Sequence, residues 1–247
     1  MPRRYSRIRD LIHCTSHFGA VLALLRLVLC KARLHALYRR LEQACARYSD
    51  RRARAFDLEH GTDTFARIHL RDLGLGAGDE SLGEWQYGPI NPDFFHEMMR
   101  AAPPHRDRLT FLDVGSGKGL ALMLASQYRF RRLVGVELSA ELNERAARNL
   151  ARYGEKVGRE VRAELLRADF LELPLPEEPT FYFFNNPFPE SVGRRAAERT
   201  LKAAEQRETW ILWRRCTLPI IDLLEASPRL DLAVATPYWR LYRSRAA

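Results

Sequence analysis

From residue 110 to near the C-terminus, short apolar runs alternate with longer amphipathic ones. TFLDV (110–114), RLVGVEL (132–138), VRAELLRAD (161–169), TFYFFNN (180–186) and TWILWRR (209–215) read as strands. KGLALMLASQY (118–128), AELNERAARNLARYG (140–154) and ESVGRRAAERTLKAAEQ (190–206) read as the helices between them, with Gly154 as the C-cap of the second. PIIDLLEA (219–226) adds a short helix, and LDLAVA (230–235) and YWRLYRS (238–244) flank Thr236-Pro237 as a terminal hairpin. Alternation of this kind folds as a doubly wound α/β sheet, here with a C-terminal antiparallel hairpin. TFYFFNN is apolar almost throughout, the texture of a strand buried on both faces. Ligands in such sheets sit at the carboxyl ends of the central strands, where the strand order reverses. The residues just after each strand therefore carry the functional information.

The N-terminal part differs. Of the 247 residues, 1–54 hold 13 Lys/Arg and 3 Asp/Glu, while the remainder is close to neutral, so the formal charge of +9 originates at one end. Helical spacing runs from Ser16 to about Arg54, through Leu34, Leu37, Tyr38, Leu41, Cys45 and Tyr48. The division expected is a basic helical extension over 1–60 and a single α/β domain over 61–247. The extension suits an acidic partner (nucleic acid, an anionic membrane surface or an acidic protein), or is equally a solvated helical face. The apolar run FGAVLALLRLVLC (18–30) is too short to span a bilayer, contains Arg26, and lacks a following cleavage site. It is not read as a transmembrane segment; an interfacial helix remains compatible with it. The cysteines Cys14, Cys30, Cys45 and Cys216 form no metal or disulfide spacing, which fits a cytoplasmic protein, membrane-peripheral if the interfacial reading holds. His13, Cys14 and His17 have helical spacing but no third ligand, so no metal site is expected. Only 4 of 40 basic residues are Lys, the coding bias of a GC-rich, bacterial genome.

FLDVGSGKG (111–119) is the most specific turn. A P-loop alignment on Gly117-Lys118 puts Leu112 at the required glycine and Gly119 at the required hydroxyl, and both fail. Lys118 is then expected in the first helical turn, facing water. A dinucleotide fingerprint fails at Leu120, and Asp113 would face a pyrophosphate. A cationic ligand reverses that objection. S-adenosylmethionine (SAM) carries an ammonium and a sulfonium and no phosphate, so Asp113 can attract its amino-acid end. Glycines in the turn allow close backbone approach. Glu137, ending the second strand, can accept both ribose hydroxyls, an acid that by itself would also suit NAD. Asp169 can accept from the adenine amino group while Phe170 packs on the base.

Taken together, LDVGSGKG, VGVEL, RADF and FFNNPF resemble the class I, seven-stranded SAM-dependent methyltransferases, over about residues 85–245. The resemblance implies a Rossmann-like sheet and a cofactor site formed by Asp113, Gly115, Ser116, Gly117, Gly119, Glu137, Leu138, Asp169, Phe170 and Asn185. A looser similarity links GSGKG, VGVE, ADFLEL and NNPFPESVGRRAAERTL to the non-SET histone lysine methyltransferases and their uncharacterised bacterial relatives. It implies that EHGTDTF (59–65) and WQYGPINP (85–92) close over the cofactor, with Thr62, Asp63 and Tyr87 in the lid.

The tail of the fourth strand in this family faces the methyl group. The catalytic edge is therefore expected at Asn185, Asn186 and Phe188, where an amide oxygen and a backbone carbonyl can orient an amine. Base-methylating enzymes often carry Asn-Pro-Pro-aromatic here; this chain has Asn186-Pro187-Phe188-Pro189, which departs from that pattern. No general base stands out, His60 and His96 included, which favours an amine acceptor such as a protein lysine. Two alternatives are a small-molecule methyltransferase with the N-terminal helices as lid, and a non-catalytic SAM- or nucleic-acid-binding protein.

Overall fold

The computed structural model describes residues 35–75 and 86–245, and at 35–42 and Cys45 the backbone alone. The apolar run 18–30, the His13–His17 spacing and most of the 73–83 loop lie outside the described residues.

Five parallel strands form the centre of the sheet: β3 (Thr110–Val114), β4 (Arg132–Glu137), β5 (Glu164–Arg167), β6 (Thr180–Asn185) and β7 (Thr209–Arg214). The hairpin of β8 (Leu230–Ala235) and β9 (Trp239–Ser244) completes it, with β9 antiparallel to both β7 and β8. The order is β5-β4-β3-β6-β7-β9-β8. The chain winds outward from β3 to β5, then returns to place β6 on the other side of β3. The strand order therefore reverses between β3 and β6, and their carboxyl ends flank a crevice. This is the doubly wound sheet with a terminal hairpin expected from the sequence. A separate two-stranded ladder joins β1 (Ile68–His69) to β2 (Gln86–Tyr87).

Each strand of the seven-stranded sheet feeds two cores because successive side chains point to opposite faces. Phe181 and Phe183 of β6 enter one core with Phe111, while Tyr182 and Phe184 enter the other with Leu112, Val114 and Trp213. That two-sided burial explains the unbroken apolar sequence of β6. The first core is covered by α1 (His35–His60), α2 (Pro92–Arg100), α3 (Leu120–Ala125) and α4 (Ala140–Val157), and the second by α5 (Glu190–Gln206) and α6 (Leu218–Glu225).

Two local expectations need correction. Gly154 does not end α4: the helix runs on to Val157, and Gly158, at φ 70°, takes the left-handed cap. Gly154 is instead required by packing, since a Cβ there would lie 2.9 Å from the Arg159 carbonyl oxygen. The N-terminal helix also extends beyond Arg54 to His60, and its last turns pack on the domain. Ala53 and Phe56 are buried, Phe56 stacks on Tyr153, and Tyr48 and Arg52 both donate to Asp93 at 2.7 Å.

Candidate active site

The crevice opens into a cavity of about 330 Å³, at the lower end of the range for small-molecule sites. Its wall contains Asp113, Gly115, Ser116, Glu137 and Leu138 from the ends of β3 and β4. Asn185, Asn186 and Phe188 close the side after β6, and Tyr87 closes the side after β2.

The glycine turn is shaped by what lies on it. Gly115 and Gly117 have φ of 75° and 53°, the left-handed region that L-residues avoid. A Cβ on Gly115 would lie 2.6 Å from Pro187 Cβ, and one on Gly117 would lie 2.3 Å from the Tyr87 ring. The turn is thus covered by the NNPF segment on one side and by Tyr87 on the other. Tyr87 is pinned there because its hydroxyl donates to the Thr64 carbonyl at 2.7 Å.

The Thr64 loop is in turn organised by Asp57, near the end of α1. Its carboxylate accepts from the Thr62 and Thr64 hydroxyls and from the Thr64 and Phe65 amides, at 2.6–2.9 Å. Asp63, at the tip, accepts from Lys118 Nζ at 3.2 Å and from Arg145 at 3.1 Å. Asn149 joins loop to turn, accepting from the Asp63 amide and donating to the Lys118 carbonyl. Lys118 therefore does not face water, as its sequence position suggested. The helix begins only at Leu120, and the lysine side chain is 1% exposed, with Nζ 5.7 Å from the Tyr87 ring centroid.

At its Asp113 end the cavity favours a cation. Asp113 is buried, and burial, reinforced by nearby Glu137, pushes its pKa up to about 8. Its carboxylate makes no hydrogen bond within the described residues, yet it lines the cavity, so a positively charged group there would supply its missing partner. Glu137 accepts from the Gly117 and Ser139 amides at 2.8 Å, and burial raises its pKa against the pull of these donors. A carboxylate has about four lone-pair sites, which leaves capacity for ligand hydroxyls. Ser116 Oγ is buried beside the cavity without a partner among the described residues. These residues fit an amino-acid end at Asp113 and a ribose at Glu137. Leu138, 42% exposed, offers an apolar surface next to the latter.

Eleven of the residues expected at the site line this one cavity. Asp169 is exposed, and one of its oxygens accepts from the Leu171 amide at 2.8 Å. Phe170 reaches the cavity wall but is mostly enclosed, edge-on to Tyr182 and Phe184. Gly117 and Gly119 are not in the wall. Gly117 serves Glu137 through its amide, and Gly119 permits contact with Ala146, 3.1 Å from a Cβ built on it. Thr62 and Asp63 belong to the clasp behind Tyr87. His60 stacks on Phe56, and His96 shares a 2.6 Å hydrogen bond with Tyr128, so neither approaches the cavity.

Three contributors escaped the sequence reading. Pro187 packs on Gly115, and Lys118 anchors the clasp. Arg214, at the end of β7, donates to Asn185 Oδ1 at 3.2 Å. The position of Arg214 at the end of a strand was the available signal, but five strand ends compete for one cavity and only pairing order selects among them.

Residues 111–206 match the family model described as a methyltransferase domain. No curated protein matches the chain in sequence. Similar solved structures include magnesium protoporphyrin IX methyltransferase from Synechocystis PCC 6803 with bound SAM, at 14% identity over 63% of this chain and 79% of that one, TM-score 0.43. An RNA methyltransferase from Salinibacter ruber with S-adenosyl-L-homocysteine is 18% identical over 62% and 88%, TM-score 0.38. A ribosomal protein L11 methylase from Lactobacillus delbrueckii is 16% identical over 63% and 77%, TM-score 0.43.

Proposed function

We propose that this chain, a class I SAM-dependent methyltransferase, transfers the methyl group to the nitrogen of an amine acceptor held at Asn185–Phe188. The observation that carries this reading is the contact of Pro187 with Gly115, which puts the NNPF segment directly on the glycine turn. Donor and acceptor sides of the cavity then meet without an intervening layer.

Bound SAM supplies an electrophilic methyl carbon; the protein supplies alignment and exclusion of water. Asp113 holds the ammonium end and Glu137 the ribose hydroxyls, which sets the direction in which the methyl projects. At the other wall, Asn186 adopts a left-handed φ of 55°, turning the chain so that the segment folds over the cavity. The backbone carbonyl oxygens of this turn can accept from an amine N–H and direct its lone pair inward. Phe188 and Tyr87 supply apolar and aromatic walls. No histidine lines the cavity among the described residues. An amine that has already lost its proton to water needs no protein base at transfer, whereas a hydroxyl acceptor does.

The test is transfer of labelled methyl from SAM into cell extract, followed by fractionation and mild alkaline treatment. An N-methyl product keeps its label. Release of the label as methanol, or recovery in an O-methyl or C-methyl product, overturns the amine reading. Absence of SAM binding by the folded protein overturns its premise.

A further inference from the structure

Arg214, which stands behind Asn185 rather than in the cavity wall, is a cation without a counter-ion among the described residues. It ends β7 in register with Asn185, the last residue of β6. Its Nη1 donates to Asn185 Oδ1 at 3.2 Å, and its guanidinium lies 5.6 Å from the Phe94 ring centroid. Its Nε is buried with no acceptor, and among the described residues no carboxylate pairs with it. The adjacent charge is Arg215, of the same sign, while nearby Tyr238 donates to Glu97. Desolvating a guanidinium without a compensating anion is costly, so the fold retains this arrangement against its own stability.

Asn185 connects this cation to the cavity. Arg can only donate, so the bond to Arg214 fixes the amide with Oδ1 toward the arginine. Asn185 Nδ2 is left as a donor with no partner among the described residues, on a side chain that lines the cavity. The two side chains together present N–H groups and one full positive charge, and no acid. A guanidinium fork beside an amide donor matches a carboxylate or phosphate.

The geometry points to Arg214, with Asn185 Nδ2, as the binding site for an oxyanion group carried by the acceptor. This rests on the placement of the acceptor at the NNPF edge. The substrate class becomes a small amine that also bears a carboxylate or phosphate, bound with the oxyanion toward β7 and the nitrogen toward the methyl group. An acceptor whose only charge is positive, such as a lysine side chain, would meet repulsion from Arg214.

The probes are sodium acetate and inorganic phosphate, titrated into the full chain at constant ionic strength while the Arg214 Nε–H resonance is followed by NMR. That resonance is assigned by its loss in Arg214→Lys. A saturable shift with acetate, phosphate or both is expected, with sodium chloride producing none; the tighter of the two identifies carboxylate or phosphate. Asn185→Asp places a carboxylate on Arg214 from within. It is expected to weaken anion binding by roughly tenfold or more and to raise the unfolding midpoint. No anion-specific shift, or an unchanged anion response together with a lower midpoint in Asn185→Asp, overturns the inference. SAM titration of the same sample reads the cofactor site separately. Cofactor binding without an anion response rejects only the oxyanion site, and loss of both rejects the placement of the acceptor as well.

Discussion

Lys118 Nζ lies 3.2 Å from Asp63 Oδ1, with the lysine side chain 1% exposed and the aspartate 53% exposed. The pair joins the glycine turn to the loop that holds Tyr87 in place. Removing the anion strands a buried ammonium, whereas removing the lysine leaves Asp63 its bond to Arg145. The expected effect is therefore asymmetric. Asp63→Asn should cost about 1–3 kcal/mol, between the values for exposed and buried pairs, and Lys118→Met less than about 1 kcal/mol. Urea unfolding of both variants measures the difference; equal losses would contradict the one-sided burial.

Asp113 should make both stability and SAM affinity depend on pH, in opposite directions. Its pKa in the folded protein, about 8, is above the ordinary 3.8. Between these values the folded state holds a proton that the unfolded state has released. The stabilisation from this group is complete below about pH 4 and is lost as pH rises through about 8. A cationic ligand instead selects the ionised carboxylate. SAM affinity should rise with pH up to about 8, and binding near neutrality should release a proton. Calorimetry in buffers of different ionisation enthalpy counts that proton, and Asp113→Asn should abolish its release.

Gly117 and Tyr87 should be energetically coupled. A Cβ at residue 117 would lie 2.3 Å from a ring whose hydroxyl is bonded to Thr64, so the ring cannot yield without breaking that bond. Gly117→Ala is expected to cost about 2–4 kcal/mol, combining the left-handed backbone penalty with overpacking. In a Tyr87→Ala background the cost should fall to the backbone share, about 1–2 kcal/mol. A double-mutant cycle on thermal unfolding reads the coupling; strict additivity would place the ring elsewhere.

Truncation should separate the basic extension from the packed end of α1. Removing residues 1–34 leaves every described contact in place and is expected to preserve SAM binding. Removing residues 1–54 deletes Tyr48, Arg52 and buried Ala53, and with them the Tyr48 and Arg52 hydrogen bonds to Asp93. The melting temperature should then drop by roughly 5–10 °C, given about 2–4 °C per kcal/mol for a chain of this size. An equal effect of the two truncations would show that residues 35–54 contribute nothing to the fold.

The periodicity of the chain was sufficient for the doubly wound sheet, its terminal hairpin and the acids Asp113 and Glu137 at strand ends. Those features follow from local spacing and from the side-chain alternation of strands, which act within a few residues. What covers the glycine turn could not be read this way. Tyr87, Pro187 and Asp63 reach it from segments 30 to 72 residues away, and their approach is set by how the sheet orders its strands. Lys118 shows the difference most directly. Its neighbours in sequence made it a solvent-facing helical residue, and only the folding of the 57–65 loop over the turn buries it against Asp63. Arg214 likewise looked like one more charge in an arginine-rich chain until strand pairing set it beside Asn185. Sequence spacing determines which side chains share a face; only tertiary packing decides which charges lose water and which partners they then require.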